Sequence, residues 1–525
     1  MASRSALVEI VLSSAIADPI YDSVILIAHG LKAVRQCEKL KHLADHLQDY
    51  AQAHKSFETA QPTFVLHPEV PSKRLFYCGT GSISGDFDTV KRYLKAGQSG
   101  ISAALAAGSR SPLLAVVPSE RFENAEMIAA MGVLHNLYVP LNLRLDEKSY
   151  KPKVDRLGIL KLSSENSGRL LRSLDALQSS FTVCRDIGDS DPQLMAPPKV
   201  ANYIREHFKD SAIKVRVESD VAEIRDNYPL LAAVNRAANN VEEHKARVIW
   251  LEYENKEEGN SDVEFETLML VGKGVTIDTG GVDVKVGGSM AGMCRDKYGS
   301  AVVAGFFDAL DKLRPKNVKV IGAMCMVRNS IGSNSYTCDE IITSRSGKRI
   351  LICNTDAEGR LTMLDPLTSC REKAQNEVNP HLYTIATLTG HEVLTYGFHP
   401  AVMDNGPARA VDHAHRLQSI GDAYGQPVEI TRWHIEDFDY NDAPMPSADL
   451  RQGGNRASVQ TLRGHQSPGA FLIRGSRLDE HGTESKTPIK YSHMDIGSCM
   501  GEYPCVTFPN PLLALVAFHV FPRSE

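Results

Sequence analysis

The chain has no Cys-x-x-Cys pair among its ten cysteines, no apolar run of membrane-spanning length and no large excess of either charge. Each absence removes a class. Cysteines scattered without that spacing read as reduced thiols used as small core residues rather than as disulfides or a thiolate zinc site, which fits a cytosolic compartment. The amino terminus, Met1 to Asp18, mixes charged and small residues and has no apolar core of the signal-peptide kind. With no spanning run either, the expectation is a soluble, cytoplasmic protein with no membrane partner. Basic residues number 58 against 64 acidic ones, a net charge of −6, which argues against a nucleic-acid footprint and against a polybasic membrane anchor. There is no His-Glu-x-x-His run: the pair His391-Glu392 is followed by Val393-Leu394-Thr395 and no second histidine, so the usual single-zinc peptidase pattern is missing. No Gly-x-Ser-x-Gly elbow occurs, which disfavours a serine hydrolase of the α/β type. Internal repeats and low-complexity tracts are also absent.

What is present is a two-part α/β pattern. At 525 residues the chain exceeds what one core usually supports, so two domains are expected. The first part alternates apolar runs, Ser23 to Ala28, Arg74 to Tyr77 and Pro112 to Val117, with helical patterns over Lys32 to His54 and Asp88 to Ala107. Its stretch Gly79-Thr80-Gly81-Ser82-Ile83-Ser84-Gly85 follows a strand but has neither the dinucleotide spacing nor a P-loop lysine-serine pair, so it reads as a plain strand-to-helix turn. A polar helix from Ser164 to Arg185 and the Asp- and Pro-rich stretch Asp186 to Pro198 connect the parts. The second part opens with a helix over Val200 to Phe208. Strands then follow at Arg247 to Leu251, Leu268 to Val271, Val318 to Ala323 and Leu382 to Ala386, alternating with helices. Such alternation predicts a mostly parallel sheet covered on both faces. Residues from about Tyr440 to Gln466 read as loops over the sheet edge. The expected division is a smaller amino-terminal α/β domain, 1–165, a linker helix and connection, 166–197, and a larger mostly parallel-sheet α/β domain, 198–525.

The chemistry concentrates in three segments at strand ends. In Asn354-Thr355-Asp356-Ala357-Glu358-Gly359-Arg360-Leu361, two carboxylates and an arginine stand within five residues after the apolar run Arg349 to Cys353, read as a buried strand, and before a helix over Leu361 to Cys370. Ligands of open α/β sheets bind at carboxyl ends of strands. In Val271 to Lys285, Lys273, Asp278 and Lys285 are spaced through apolar residues. The Gly280-Gly281 pair interrupts strand periodicity there and lets side chains of opposite faces converge. A hairpin with solvated lysines explains that segment alone about as well. In Met290 to Asp296, Asp296 falls at the start of a helix over Ser300 to Leu310, where an aspartate is most often a cap. If Asp278, Asp296, Asp356 and Glu358 lie together, they raise one another's pKa unless compensated. Two divalent cations would neutralise them almost formally. Oxygen ligands with one nitrogen suit manganese, magnesium, cobalt or zinc.

The run at 354 to 361 is identical to the signature of the leucine aminopeptidase family, the two-metal cytosolic exopeptidases. Val271 to Lys285 resembles that family's Gly-Lys-Gly, Asp-x-Gly-Gly and Lys motif, and Ala386-Thr387-Leu388-Thr389-Gly390 is similar to its Ala-Thr-Leu-Thr-Gly. The resemblance covers the chain from about Arg185 onward. It implies a catalytic carboxyl-terminal domain, peptides as substrates and assembly into a homohexamer. It makes Lys273, Asp278, Asp296 and Glu358 ligands of one metal, and Asp278, Asp356 and Glu358 ligands of the other. The peptide α-amine would bind one ion and the scissile carbonyl the other, with a shared water as nucleophile and the metals about 3.5 to 4 Å apart. Lys285 would add positive charge to the developing oxyanion, and Arg360 would hold a bicarbonate ion as general base. Met293, Thr387 and Gly390 would line the pocket for an apolar, leucine-like first side chain. Three stretches depart from the family: Arg328-Asn329 with Thr337 to Glu340, Lys297 to Ser300 directly after Asp296, and Tyr491 to Ser498. A cation and a ring so near a ligand, Lys297 and Tyr298, are expected to reshape the pocket or disturb the metals. Two other readings are a catalytically weak relative serving as oligomeric scaffold or binding protein and, less well supported, a two-metal phosphoesterase.

Overall fold

The computed structural model describes residues 7–54, 56–59, 61–146, 150–162, 167–257 and 264–524. Ser164 and the first six residues, on which two of the expectations above rest, lie outside them. The chain divides into two compact units, one of residues 2–182 with 421–426 and one of residues 183–420 with 427–525. The short excursion at 421–426 is not anticipated by a strictly sequential division.

The first unit holds β1 (Ile10–Ser13), β2 (Ser23–Ala28), β3 (Thr63–Leu66), β4 (Arg74–Gly79), β5 (Pro112–Val116) and β6 (Leu157–Leu160), in the order β1-β6-β5-β2-β4-β3. Every pair is parallel except β3 with β4. The helical pattern over Lys32 to His54 is two helices, Leu31–Gln36 and Lys41–Ala53, and that over Asp88 to Ala107 is one, Lys91–Ala106. The 79–85 stretch leaves β4 as a turn toward the latter helix, as read from sequence.

The second unit adds β7 (Lys214–Glu218), β8 (Arg247–Asn255), β9 (Glu266–Asp278), β10 (Val318–Asn329), β11 (Ile341–Thr343), β12 (Arg349–Leu351), β13 (Pro380–Ala386), β14 (Ala401–Asp404), β15 (Glu429–Ile430), β16 (Leu450–Arg451) and β17 (Lys490–Asp495). Eight of these form one sheet, β15-β14-β17-β13-β9-β10-β8-β7, whose centre is parallel, whose β10–β8, β8–β7 and β14–β17 pairings are antiparallel and whose edge pair β14–β15 is parallel. Helix Tyr298–Leu313 packs where the sheet carries Gly272, Gly274 and Gly322. A Cβ on Gly272 would come within 2.7 Å of the Gly299 backbone, and one on Gly322 within 2.5 Å of the Phe307 ring. Glycines here let a helix buried from Tyr298 through Leu310 sit close to the strands. On the other face, helix Gly359–Ala374 covers Met269, Val271, Val275, Cys325 and Val327 with Leu361, Met363, Leu364 and Leu367. The two helix layers cover the apolar strand centres from both sides, the arrangement expected for near-continuous hydrophobic strands.

Two local expectations need correction. The run Arg349 to Cys353 is a strand only over Arg349–Leu351. It belongs not to the large sheet but to a separate three-stranded one, β11-β12-β16. An apolar run of five residues does not disclose which sheet it joins. Asp296 does not start a helix either: it ends a single turn, Met293–Arg295, two residues before helix Tyr298–Leu313, and its side chain is engaged elsewhere.

Candidate functional site

Lys273 and Asp278 are five residues apart on β9 and would face opposite ways on a regular strand. The register explains why they do not. Val275 pairs with Val327 and Asp278 with Asn329, so three steps on β9 match two on β10. This bulge, rather than Gly280-Gly281, turns Asp278 to the face that carries Lys273. The two glycines, with φ of 86° and 63°, reverse the chain just afterwards and bring Lys285 back over the strand end.

The 354–358 loop is fixed from three sides. Asp283 Oδ2 accepts the Thr355 N–H at 2.7 Å, and the Thr355 hydroxyl donates to the Gly280 carbonyl at 2.7 Å. Tyr336 Oη donates to the Thr355 carbonyl at 2.7 Å. The fully buried side chain of Gln452 spans the loop: its Oε1 accepts from the Cys353 and Asn354 N–H groups at 3.1 and 3.2 Å, and its Nε2 donates to the Asn354 and Ala357 carbonyls, both at 2.8 Å. Glu358 then stands at the N-cap position of helix Gly359–Ala374, without a side-chain capping bond, where the helix dipole favours an anion. Gly359 has no side chain because a Cβ would lie 2.6 Å from Lys273 Cε.

These elements bring Lys273, Asp278, Lys285, Asp296, Asp356 and Glu358 together. Lys273 Nζ lies 2.7 Å from Asp296 Oδ1 and 2.8 Å from Glu358 Oε1, and donates to the Thr387 carbonyl at 2.8 Å. Lys285 Nζ lies 2.9 Å from Asp278 Oδ2 and 2.5 Å from Asp356 Oδ1. Asp278 Oδ1 also accepts from Asn329 Nδ2 at 2.8 Å and from the Gly280 N–H at 2.9 Å. Asp278, Asp296 and Glu358, all buried, each offer an oxygen within 4.8 Å of the others. Asp356 stands outside that triad, on the Lys285 side. The bland hairpin reading fails here, because neither lysine is solvated as it requires.

The electrostatics follow from burial. Desolvation raises the Asp296 pKa well above the carboxylate range, with Glu358 and Asp278 adding to it and Lys273 opposing. Desolvation with Asp278 and Glu358 likewise pushes Asp356 up to about 7 against the pull of Lys285. Burial disfavours the charge on both lysines, but the surrounding carboxylates outweigh it and hold each pKa above the usual value. Asp296 Oδ2 is buried with no hydrogen-bond partner among the described residues. Clustered buried oxygens, one of them unsatisfied, fit a hard or borderline divalent cation.

Arg360, also buried, donates to the Gln452 carbonyl through Nη1 at 3.0 Å, while its Nε has no partner among the described residues. Desolvation lowers its pKa to about 10. Around these groups lies a cavity of about 850 Å³, lined among others by Met293, Thr387 and Gly390 as well as Leu388, Val393, Phe398, Val459 and Met500. Thr387 does more than line it, since its hydroxyl donates to Asp296 Oδ1 at 2.9 Å.

Lys297 and Tyr298 do not line the cavity. Lys297 Nζ donates to the Ser190 carbonyl at 2.9 Å and to that of Cys294, and Tyr298 Oη bonds the Thr507 hydroxyl. Both are fully buried and turned toward the 184–190 and 507 segments, so the expectation that they reshape the pocket is corrected. Sequence reasoning also missed Asn329, Gln452 and Asp495, which accepts from the Leu388 and Thr389 N–H groups and the Thr389 hydroxyl. Asn329 sat in a stretch already marked as divergent. Gln452 lay unremarked in a polar loop.

The model of the cytosol aminopeptidase family's catalytic domain matches residues 182–506. A Caenorhabditis elegans protein named "Putative aminopeptidase" is 54% identical over 519 residues, 98% of each chain. The cytosol aminopeptidase of Vibrio cholerae serotype O1 is 32% identical over 318 residues, 59% of each chain. Leucyl aminopeptidase from Trypanosoma brucei, solved in complex with bestatin, shares the fold with a TM-score of 0.78 at 20% identity, over 98% of this chain and 96% of that one. With the catalytic-domain match over more than half its length and a relative alike almost end to end, the chain belongs to the cytosol aminopeptidase family.

Proposed function

We propose that the protein is a metal-dependent aminopeptidase that releases amino-terminal residues from peptides. The observation that carries this reading is the buried Asp278, Asp296 and Glu358 triad with Lys273, Lys285 and Asp356 against it at the floor of a cavity large enough for a peptide end. Lys273, as the neutral amine left once a cation has displaced its proton, would hold one divalent ion with Asp278, Asp296 and Glu358, and Asp278, Asp356 and Glu358 would hold a second, zinc or manganese, with magnesium or cobalt as alternatives. Such ions would supply Lewis acidity toward the scissile carbonyl and a water of lowered pKa.

The protein's own groups do the rest. Lys285 offers a fixed ammonium where an oxyanion develops, and as a preorganised charge it costs no reorganisation at that moment. Arg360 has an Nε without a partner among the described residues and a buried guanidinium, which suit a small anion such as bicarbonate held as proton acceptor. Thr387 orients Asp296 through its hydroxyl and, through its carbonyl, accepts a hydrogen bond from Lys273. The apolar surface of Met293, Leu388, Val393, Phe398 and Met500, beside Gly390, excludes water and accepts the stem of an apolar, leucine- or methionine-like first residue. Family membership supports assembly into a homohexamer and a cytoplasmic location, and the absence of a helix long and apolar enough to cross a membrane among the described residues is compatible with that location.

Hydrolysis of a panel of aminoacyl-amide fluorogenic substrates, with and without added manganese and against Asp356→Ala, tests the proposal. Metal-dependent turnover that the variant loses is expected. A wild-type protein that binds metal yet turns over no substrate would favour the scaffold or binding-protein reading.

A further inference from the structure

Five cationic side chains line the cavity: Lys273, Lys285, Arg295, Arg360 and Arg456. Four of them are engaged. The two lysines pair with the carboxylates of the site, Arg295 Nε lies 3.2 Å from Asp189 Oδ1, and the buried Arg360 donates to the Gln452 carbonyl. Arg456 is exposed and has neither an acidic nor a carbonyl partner among the described residues. An unpaired arginine on a cavity wall is a charge held ready for an anionic group of a ligand.

The stretch that carries Arg456 is tied down on both sides. Gln452 bonds the 353–357 loop, and Gly453 lies against Arg360, since a Cβ there would come within 3.3 Å of Nη1. Beyond Arg456, Ser458 Oγ accepts the His391 N–H at 3.4 Å, and a Cβ on Gly390 would fall 2.8 Å from Val459 Cγ1. Arg456 therefore stands on the wall that runs from the Asp356 and Glu358 loop to helix Gly390–Tyr396. A second donor faces the same stretch. Arg451 holds the Tyr440 ring, with its guanidinium carbon 4.6 Å from the ring centre and its Nε donating to the Tyr440 carbonyl at 2.6 Å. The Tyr440 hydroxyl abuts Gly454, where any Cβ would collide with it, and it has no partner among the described residues. Tyr440, Gly454 and Arg456 all line the cavity.

We infer that Arg456 and Tyr440 form a carboxylate-binding subsite, which takes the carboxy terminus of peptides of two or three residues. This rests on the aminopeptidase reading and names the substrates of that same site. A guanidinium fork and a phenol O–H can together meet both oxygens of a carboxylate. A short peptide is a zwitterion. Its amine goes to the Asp278, Asp296 and Glu358 end, its first side chain lies against Met293, Thr387 and Gly390, and its carboxylate reaches the wall cation that has no other partner. Each extended residue adds only about 3.3 to 3.6 Å. A volume of about 850 Å³ is that of a pocket for a small molecule rather than of a channel for a long chain. In a longer peptide the carboxylate lies outside and the pairing is lost.

The test measures kcat and KM for L-leucyl-glycine, L-leucyl-diglycine and L-leucyl-pentaglycine, each as the free acid and as the carboxamide. The proteins are wild type, Arg456→Gln, Arg456→Glu and Tyr440→Phe at equal metal content. For the two shorter peptides the wild type should favour the acid, chiefly through KM. Arg456→Gln should cut the acid-to-amide ratio of kcat/KM by about tenfold or more, the worth of hydrogen bonds to a charged group. Tyr440→Phe should cut it by less, and Arg456→Glu should reverse it. For the pentaglycine peptide acid and amide should be cleaved alike by every protein. A wild type indifferent to the carboxylate, or an acid preference that survives in Arg456→Glu, overturns the inference and leaves the peptidase reading intact. An equal preference at all lengths also overturns it, because that marks long-range attraction rather than a subsite. If the wild type turns over none of these peptides, the peptidase reading fails, and calorimetric binding of leucyl-glycine and its amide decides. An acid preference that Arg456→Gln abolishes sustains the subsite, and equal binding or none overturns it.

Discussion

Replacing Gln452 by leucine keeps the approximate volume of a fully buried side chain and removes four hydrogen bonds, two accepted and two donated, between it and the 353–357 loop. A net loss of about 0.5 to 1.5 kcal/mol per bond, which already allows for bonding recovered from water, gives roughly 2 to 6 kcal/mol over the four. That cost falls on the loop that carries Asp356 and Glu358, not on the distant core. It should therefore appear as local opening. At ~1.4 kcal/mol per factor of ten, amide hydrogen exchange at Cys353 and Asn354 should speed up by roughly one to four orders of magnitude. Divalent-metal affinity should weaken in the same variant, because each opening separates Asp356 and Glu358 from Asp278. Hydrogen exchange read by mass spectrometry, with a metal titration on the same preparation, measures both. If Gln452→Leu exchanges these amides at the wild-type rate and binds metal as tightly, the clamp has no such role and the reasoning fails.

Glu358→Ala should lower bound metal by one equivalent and abolish turnover; full metal content by elemental analysis would remove Glu358 from the ligand set. Lys285→Ala should cut kcat far more than metal content, because it removes a cation from among carboxylates and leaves every carboxylate in place; loss of metal instead would make Lys285 a structural residue. Lys297→Met should leave the order of preferred substrates unchanged while lowering the unfolding midpoint, since two carbonyls lose their donor; a changed preference would return Lys297 to the pocket. His493→Gln tests a linkage. Burial lowers the His493 pKa from 6.5 to about 3, so the folded state refuses a proton that the unfolded chain takes up. Its contribution is intact above pH 6.5 and is lost as pH falls toward 3, at about 1.4 kcal/mol per unit. Urea midpoints measured across that window should fall less steeply in the variant, and parallel slopes would contradict the assignment.

The layered α/β plan was legible because strands such as Ser23–Ala28 and Pro380–Ala386 are short apolar runs between amphipathic helices. The carboxylates and lysines of the site were legible chiefly through the likeness of 271–285 and 354–361 to family motifs, since by residue pattern alone Lys273 and Lys285 read equally as a solvated hairpin and Asp296 as a helix cap. What the sequence hid was contact between distant segments. Nothing around Val275 announces a bulge, which arises from how β9 and β10 share their bonds. Lys297 looked dangerous because it neighbours Asp296, yet consecutive side chains leave a turn in different directions, and this one found the carbonyls of Ser190 and Cys294. Gln452 could not be recognised from its neighbours, because all four of its partners lie about a hundred residues earlier.

The site is drawn from pieces spread between Lys273 and Asp495, each held by another far along the chain, with Asp278 braced by Asn329, the 354–358 loop by Gln452 and the 387–390 turn by Asp495. Contacts of such sequence separation form late in folding, after the entropy of closing long loops has been overcome. A chain still being synthesised has no complete site until residue 495 has emerged. Peptide-cleaving capacity would thus be withheld from nascent copies by topology alone.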